Sequence, residues 1–363
     1  MGLNPNYFHN IIPKYDILAI GSILFFCNCF GPTQSYPNVQ QIIFISSRFG
    51  ANMEVYTMDR DGNNQINLTR HVSWDTAPQF SPSGSGLLFI TNRDGLDEIY
   101  YAEFEWYGGY TRYEITSQVN VSNHPAYDGQ PQFSPDGSKI VFQSARDSTY
   151  EIYLVDVDGN NLVNISNHSA NDLDPQFSPD GQNILFVSDR DGDDEVFIVA
   201  IDEANPINIT NNTKPERRPR YSPAGEKIVF DSYRDGDYEI YSMDVDGSNQ
   251  INLTNNPGFD WKPQFSPAGD KIMFESTRDG NYELYVMDTD GNNLVNLTNN
   301  PGKDFGGNFA PDGSSITFTS FRDTSDETSE IFIVDIDGSN LINVSNYPGA
   351  EDWASSFQPW PLD

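Results

Sequence analysis

The chain has 363 residues, of which 53 are acidic and 20 are basic, so its formal net charge is −33. A surface this negative repels nucleic acid and anionic lipid headgroups, which argues against both as partners. Hydrophobic residues make up 37% and aromatic residues 13% of the chain, which is enough to pack one sheet against another.

Residues 1–36 lie outside the pattern that fills the rest of the chain. The run Ile17 to Phe26 is apolar, follows Lys14, and is shorter than the ~20 residues of a membrane-spanning helix, so it is typical of a secretory signal. Cys27 follows at the position of a lipid-modified cysteine in exported bacterial proteins. We therefore predict a periplasmic or extracellular protein without a transmembrane span. Cleavage of the segment and lipid attachment at Cys27 both remain open.

From residue 37 onward one unit recurs, and the stretch Pro131 to Phe177 contains a full copy. It has four short runs with strand chemistry, the first around Gln132 to Ser134 and the others at Ile140 to Ser144, Glu151 to Val155 and Leu162 to Ile165. Turn residues separate the runs, and no window shows a helical period. Four antiparallel strands in a repeat of about 40 to 45 residues predict one blade of a β-propeller.

Two repeated residues predict the number of blades. An arginine after the second run recurs seven times, at Arg48, Arg93, Arg146, Arg190, Arg234, Arg278 and Arg322. The first-run aromatic residue also recurs seven times, at Phe80, Phe133, Phe177, Tyr221, Phe265, Phe309 and Phe357. The first arginine has no such aromatic before it, whereas the run Ala354 to Gln358 follows the last full repeat. We therefore predict an all-β, seven-bladed propeller over 37–363, closed by a C-terminal strand that completes the first blade.

Charged residues repeat at two further positions. An acid precedes each first-run aromatic by five residues, at Asp75, Asp128, Asp172, Glu216, Asp260, Asp304 and Asp352. A glutamate opens each third run, at Glu54, Glu98, Glu151, Glu195, Glu239, Glu283 and Glu330. One interpretation is that each arginine ties its loop to one or both acids. The other is that calcium binds to carboxylates at the channel mouth, with Asp128, Asp172, Asp260 and Asp304 as the candidates. We expect no other cofactor.

Aromatic residues flank the ring of acids. Trp74, Tyr127 and Phe259 precede it, and Trp261, Phe305 and Trp353 follow it. Rings beside carboxylates suit a basic peptide or a sugar, so this is the predicted ligand or partner face. The alternative is that the rings cap the ends of the blade core.

Two segments depart from the repeat. The second blade has an insertion, Glu103 to Tyr113, in which Phe104, Trp106, Tyr107 and Tyr110 are candidates for a protein contact. The alternative is a longer hairpin whose rings stack on one another. The fifth repeat begins with a basic segment, Lys214 to Arg220, that contains Arg217, Arg218 and Arg220.

Enzyme signatures are absent from the sequence: it has no G-x-S-x-G, glycine-rich phosphate loop or C-x-x-C. His71, His124 and His168 share one register, but they follow the outermost strands, where blades diverge. Three imidazoles at that radius would not reach one ion at roughly 2.1 Å. We predict no catalytic residues.

The unit F-S-P-D-G-x-x-I-x-F-x-S-x-R-D-G resembles the WD40-like repeat of TolB-type propellers, most clearly at Phe177 to Asn211 and Phe265 to Asn299. The resemblance spans about residues 41–358. It implies a periplasmic, protein-binding propeller. TolB has six blades and an N-terminal α/β domain, whereas we expect seven blades and no such domain in this sequence. The predicted function is a non-enzymatic, exported binding or scaffold module. The alternatives are a channel-metal hydrolase or lyase and a structural subunit of an extracellular assembly.

Overall fold

The computed structural model describes residues 40–48, 50, 52–106, 113–203, 205–322 and 328–359. Within these ranges the chain forms strands and turns, and no helix there is long and apolar enough to cross a membrane. The predicted signal segment, Cys27 and the domain boundary near residue 37 lie outside the described residues.

The strands form seven four-stranded antiparallel sheets, which confirms the predicted seven-bladed, all-β fold. The first blade consists of β1 (Gln41–Ser46), β2 (Glu54–Asp59) and β3 (Ile66–Asn67) together with β28 (Asp352–Phe357). The second consists of β4 (Asp75–Phe80), β5 (Gly86–Thr91), β6 (Glu98–Trp106) and β7 (Tyr113–Asn120). The third consists of β8 (Asp128–Phe133), β9 (Lys139–Ser144), β10 (Glu151–Asp156) and β11 (Val163–Asn164).

The remaining blades repeat this order. The fourth consists of β12 (Asp172–Phe177), β13 (Asn183–Ser188), β14 (Glu195–Ala200) and β15 (Ile207–Asn208). The fifth consists of β16 (Glu216–Tyr221), β17 (Lys227–Ser232), β18 (Glu239–Asp244) and β19 (Ile251–Asn252). The sixth consists of β20 (Asp260–Phe265), β21 (Lys271–Ser276), β22 (Glu283–Asp288) and β23 (Val295–Asn296). The seventh consists of β24 (Asp304–Phe309), β25 (Ser315–Ser320), β26 (Glu330–Asp335) and β27 (Ile342–Asn343).

The two ends of the propeller join in the first blade. Strand β28 pairs with β1, with Ile42 opposite Phe357 and Ser46 opposite Asp352. This confirms the predicted ring closure by the C-terminal strand. First strands of most neighbouring blades contact one another, and their last residues line one central cavity, so they are the inner strands.

The second strands are buried on both faces. In β9, β13, β17 and β21 every residue after the first is buried. The reason is that blades stack face to face: in β1, Ile43 and Ile45 pack towards the second blade, whereas Ile42 and Phe44 pack towards the seventh. Polar side chains in these strands therefore lie inside the protein.

Each inner strand is longer than its predicted run because it contains a bulge. The third residue of the strand has a positive φ, at Ala77, Gln130, Asp174, Arg218, Lys262, Gly306 and Ala354. In five of the seven strands the fourth residue is a proline. Proline has no N–H to donate to a neighbouring strand, and a bulge tolerates it because the ladder of hydrogen bonds is interrupted there. The bulge turns the N–H of the third residue towards the preceding blade: that of Lys262 donates to Asp231, and that of Gly306 to Glu275. Backbone and channel-facing side chains are thereby held in a fixed register.

Candidate functional site

The predicted ring of acids is a set of buried ion pairs. Each acid opens an inner strand, is fully buried, and lies 2.7 to 3.2 Å from the arginine of its own blade. The pairs are Asp352–Arg48, Asp75–Arg93, Asp128–Arg146, Asp172–Arg190, Glu216–Arg234, Asp260–Arg278 and Asp304–Arg322. Each guanidinium also lies over two aromatic rings of the second and third strands, at 4.5 to 5.7 Å.

This geometry corrects the placement of the carboxylates on the ligand face. Being buried and paired, Asp75, Asp128, Asp172, Glu216, Asp260, Asp304 and Asp352 present no surface to a partner. The four aspartates considered for calcium, Asp128, Asp172, Asp260 and Asp304, each lie in a separate pair. Among the described residues no three histidine, cysteine or acidic side chains come together in a group that could hold a metal.

The third-strand glutamates tie down the outer strand rather than the arginine. Glu151 accepts hydrogen bonds from the Ser166 hydroxyl at 2.7 Å and from the backbone N–H of His168. The His168 imidazole in turn accepts the backbone N–H of Ala170 through Nδ1, at 3.1 Å. The glutamates and the three aligned histidines therefore fix loops. Burial raises the pKa of Glu195 and of Glu239 to about 7.

The aromatic residues of the predicted face differ from blade to blade. Trp74 and Trp353 are exposed at separate blades, and Tyr127 packs edge-on against Tyr150 at 5.9 Å. A continuous series of rings occurs only at the fifth and sixth blades in the described part of this face. Its centroids are 5.1 to 6.3 Å apart, in the order Tyr233, Tyr238, Phe259, Trp261 and Tyr282.

Next to this series is a cleft of about 460 Å³, which we call the aromatic cleft. Its lining residues are Arg218, Trp261, Lys262, Glu275, Tyr282, Lys303, Phe305 and Phe321. It therefore combines four aromatic rings with three cationic groups, on a chain whose net charge is −33. Trp261 and Phe305 belong to the face predicted from sequence. The ring centroids of Phe305 and Phe321 are 6.0 Å apart, and the side chain of Tyr282 is 37% exposed.

Two buried carboxylates hold the polar side chains of the aromatic cleft in place. Glu275 accepts hydrogen bonds from the indole N–H of Trp261 at 2.6 Å and from Lys262 at 3.1 Å. Asp231 pairs with Arg218 at 3.0 Å, and burial raises its pKa to about 6 against the opposing effect of Arg218.

Sequence reasoning missed these two acids, although the repeat contains the signal. Both occupy the fifth position of a second strand, where the other blades have Ile45, Ile90, Gln143, Val187 and Thr319. A charge at a position that is buried in every blade marks a local departure from the packing of the repeat.

The insertion of the second blade extends the hairpin β6–β7, in agreement with one of its two interpretations. Phe104 was predicted as a possible protein contact, but it is a buried core residue that packs edge-on against Phe80, with 6.1 Å between the ring centroids. The side chain of Trp106, together with Tyr107 and Tyr110, lies outside the described residues.

Comparison with known proteins identifies a family. The family model described as TolB beta propeller domain matches residues 110–230 and 202–359, which is more than half of the chain. A TolB homolog of Chlorobaculum tepidum is 31% identical over 119 residues, covering 33% of this chain and 25% of that protein. The matched segments span less than two fifths of the curated relatives' length.

Solved structures share the fold. TolB from Acinetobacter baumannii has a TM-score of 0.52 at 21% identity, covering 71% of this chain and 63% of that chain. An oligogalacturonate lyase from Vibrio parahaemolyticus has a TM-score of 0.60 at 13% identity, with 84% of each chain covered. At identities this low, the likeness to these structures shows the fold alone.

Proposed function

The chain belongs to the TolB beta propeller domain family, and we propose that it is a non-enzymatic module that binds a protein partner in the aromatic cleft. The observation that supports this proposal most is the coincidence of four rings and three cationic groups at one cleft on a rigid ring of strands. Aromatic and arginine side chains are the residue types that contribute most to binding at protein interfaces.

The cleft chemistry favours a particular partner segment. Trp261 and Tyr282 offer flat apolar surfaces, and Lys262 and Lys303 are exposed next to them. We therefore expect a peptide segment with an aromatic or aliphatic side chain beside an acidic one. The net charge of −33 does not prevent this, because exposed charges are screened beyond about 8 Å at physiological salt. Local cations then decide which segment binds.

We also propose that the protein is exported to the periplasm or the extracellular space. The apolar run Ile17 to Phe26 supports export, and Cys27 is the candidate lipid anchor. Mass spectrometry of the mature N-terminus checks this proposal. A diacylglycerol adduct on Cys27 or a cleaved terminus supports export, whereas an intact, unmodified Met1 contradicts it.

The binding proposal is tested with the full-length chain and a random peptide library. We expect selected peptides to be enriched in aromatic and acidic residues and to bind in a one-to-one ratio. Trp261→Ala and Lys303→Glu should each weaken binding about tenfold or more, since interface anchors contribute 2 kcal/mol or more, roughly.

Trp74→Ala is the matched control, because Trp74 is 51% exposed at the corresponding face of another blade. It should leave the affinity for the selected peptides unchanged. Equal losses in the Trp74 and Trp261 variants, or no loss in either, would contradict binding at the aromatic cleft. Thermal melting of each variant establishes that it is folded.

A further inference from the structure

The fifth residue of each inner strand forms a ring of polar side chains around the channel. The residues are Gln79, Gln132, Gln176, Arg220, Gln264, Asn308 and Ser356. Three of the glutamines connect successive blades, because their side-chain oxygens accept the N–H of the next blade's aromatic residue. The distance is 2.9 Å from Gln132 to Phe177 and from Gln176 to Tyr221. The glutamine at this position is therefore a structural tie.

Arg220 interrupts this series in the fifth blade. A guanidinium only donates hydrogen bonds, so it cannot accept an N–H from the sixth blade as a glutamine would. Its hydrogen bond within the described structure goes to the backbone carbonyl of Pro219, at 2.8 Å. Among the described arginines only Arg220 and Arg70 have no carboxylate within 4.0 Å, and Arg70 is exposed.

No carboxylate of the described residues forms an ion pair with the guanidinium of Arg220. Of the carboxylates around Arg220, Asp231 and Glu275 are already paired with Arg218 and Lys262, and Asp174 lies beyond ion-pair distance of the guanidinium. Arg220 is half-buried in the channel wall, and this desolvation lowers the pKa of its guanidinium. A cation in such surroundings is stabilised by an anion that comes from outside the chain.

The next blade contributes an unsatisfied acceptor. The side-chain oxygen of Gln264 is buried and has no hydrogen-bond donor among the described residues. Asn308, which follows it in the ring, directs its amide to the backbone carbonyl of Ser355, at 2.9 Å. A buried acceptor without a donor is unfavourable, so a ligand that donates a hydrogen bond to Gln264 binds more tightly than one that does not.

Arg220 and Gln264 line one cavity of about 220 Å³, which we call the channel pocket. Its lining also includes Arg218, Lys262, Glu275 and Asn308. This volume lies below the ~300 Å³ at which sites for drug-sized ligands begin, so the pocket fits an acid group on a short stem.

We infer that the channel pocket binds the carboxylate of a small ligand, or of a peptide end, that carries a hydrogen-bond donor next to the acid group. Arg220 binds the carboxylate, because the guanidinium fork matches its two oxygens. The side-chain oxygen of Gln264 accepts the ligand's O–H or N–H. Two sources have this chemistry: a free α-hydroxy acid and the C-terminal residue of a peptide.

Calorimetric titration of the full-length chain in low-chloride buffer tests the inference with four probes. Lactate combines a carboxylate with a hydroxyl, and N-acetylalanine combines it with an amide N–H. Acetate lacks the donor, and N-acetylalaninamide lacks the charge. We expect lactate or N-acetylalanine to bind more tightly than acetate, and the amide not to bind. Whichever acid binds more tightly identifies the source.

Arg220→Gln is the decisive variant, because it restores the glutamine that three preceding blades have at this position and so should fold. It should weaken binding of the acids roughly tenfold to a hundredfold, because the ligand then loses a charge-assisted pair of hydrogen bonds. Arg70→Gln removes the other unpaired arginine and should leave binding unchanged.

Three results would overturn the inference. These are no binding of either acid, undiminished binding in Arg220→Gln, and acetate binding as tightly as both larger acids, which would remove the role of Gln264.

Discussion

Breaking one buried ion pair without replacing it should destabilise the propeller strongly. In Arg190→Met the carboxylate of Asp172, which is fully buried, loses its partner at 3.0 Å. Removing one partner of a buried pair costs about 3 to 5 kcal/mol, because an uncompensated charge remains inside the protein. The variant also loses the contacts of the guanidinium with Phe186 and Phe197, at 5.4 and 4.8 Å, which contribute about 1 to 2 kcal/mol.

Urea denaturation followed by tryptophan fluorescence measures this loss. Arg217→Met is the matched control, since its pair with Asp194 is 42% and 21% exposed and should contribute about 0 to 1 kcal/mol. The double variant Asp172→Asn, Arg190→Met should recover part of the stability, because no charge is then left unpaired. A loss below about 1 kcal/mol in Arg190→Met would refute the reasoning, since that is the range of an exposed pair.

Two further predictions concern pH and ring closure. The pKa of Glu195 and Glu239 is raised from 4.5 to about 7, so their contribution to stability is present below about 4.5 and lost as pH rises through 7. The melting temperature should therefore fall between pH 5.5 and 7.5, less so in the double Glu→Gln variant; an unchanged slope would contradict this. Phe357→Ala should destabilise the chain by about 3 to 5 kcal/mol, because Phe357 packs with Ile42 and Phe44 across the closure. A melt unchanged by that substitution would contradict closure by β28.

The sequence was sufficient to predict the fold because the same pattern of strands and turns occurs seven times. Strand runs, turns and the placement of the C-terminal aromatic Phe357 together determine the blade count and the closure. Which charges pair with one another could not be predicted, since chain spacing gives the register of Asp172, Arg190 and Glu195 but not their distances. The structure joins the first two and assigns the glutamate to the outer strand.

The candidate site was predicted only in part, and the reason is geometric. Trp261 and Phe305 were expected on the ligand face, and they line the aromatic cleft. Asp231 and Glu275 were missed, because each follows three apolar residues near the end of its strand, where a charged side chain ordinarily faces solvent. Stacked blades bury both faces, and a polar residue at the fifth position then lies next to the channel.

Photo-crosslinking from the cleft tests most directly the central claim that the protein binds its partner there. A photoreactive phenylalanine analogue replaces Tyr282 in one variant and Tyr150 in another, since both tyrosines immediately precede a third-strand glutamate. With a peptide selected on the wild-type chain, the account predicts a covalent adduct from position 282 and none from position 150. Equal adducts from both positions, or an adduct from position 150 alone, would contradict it.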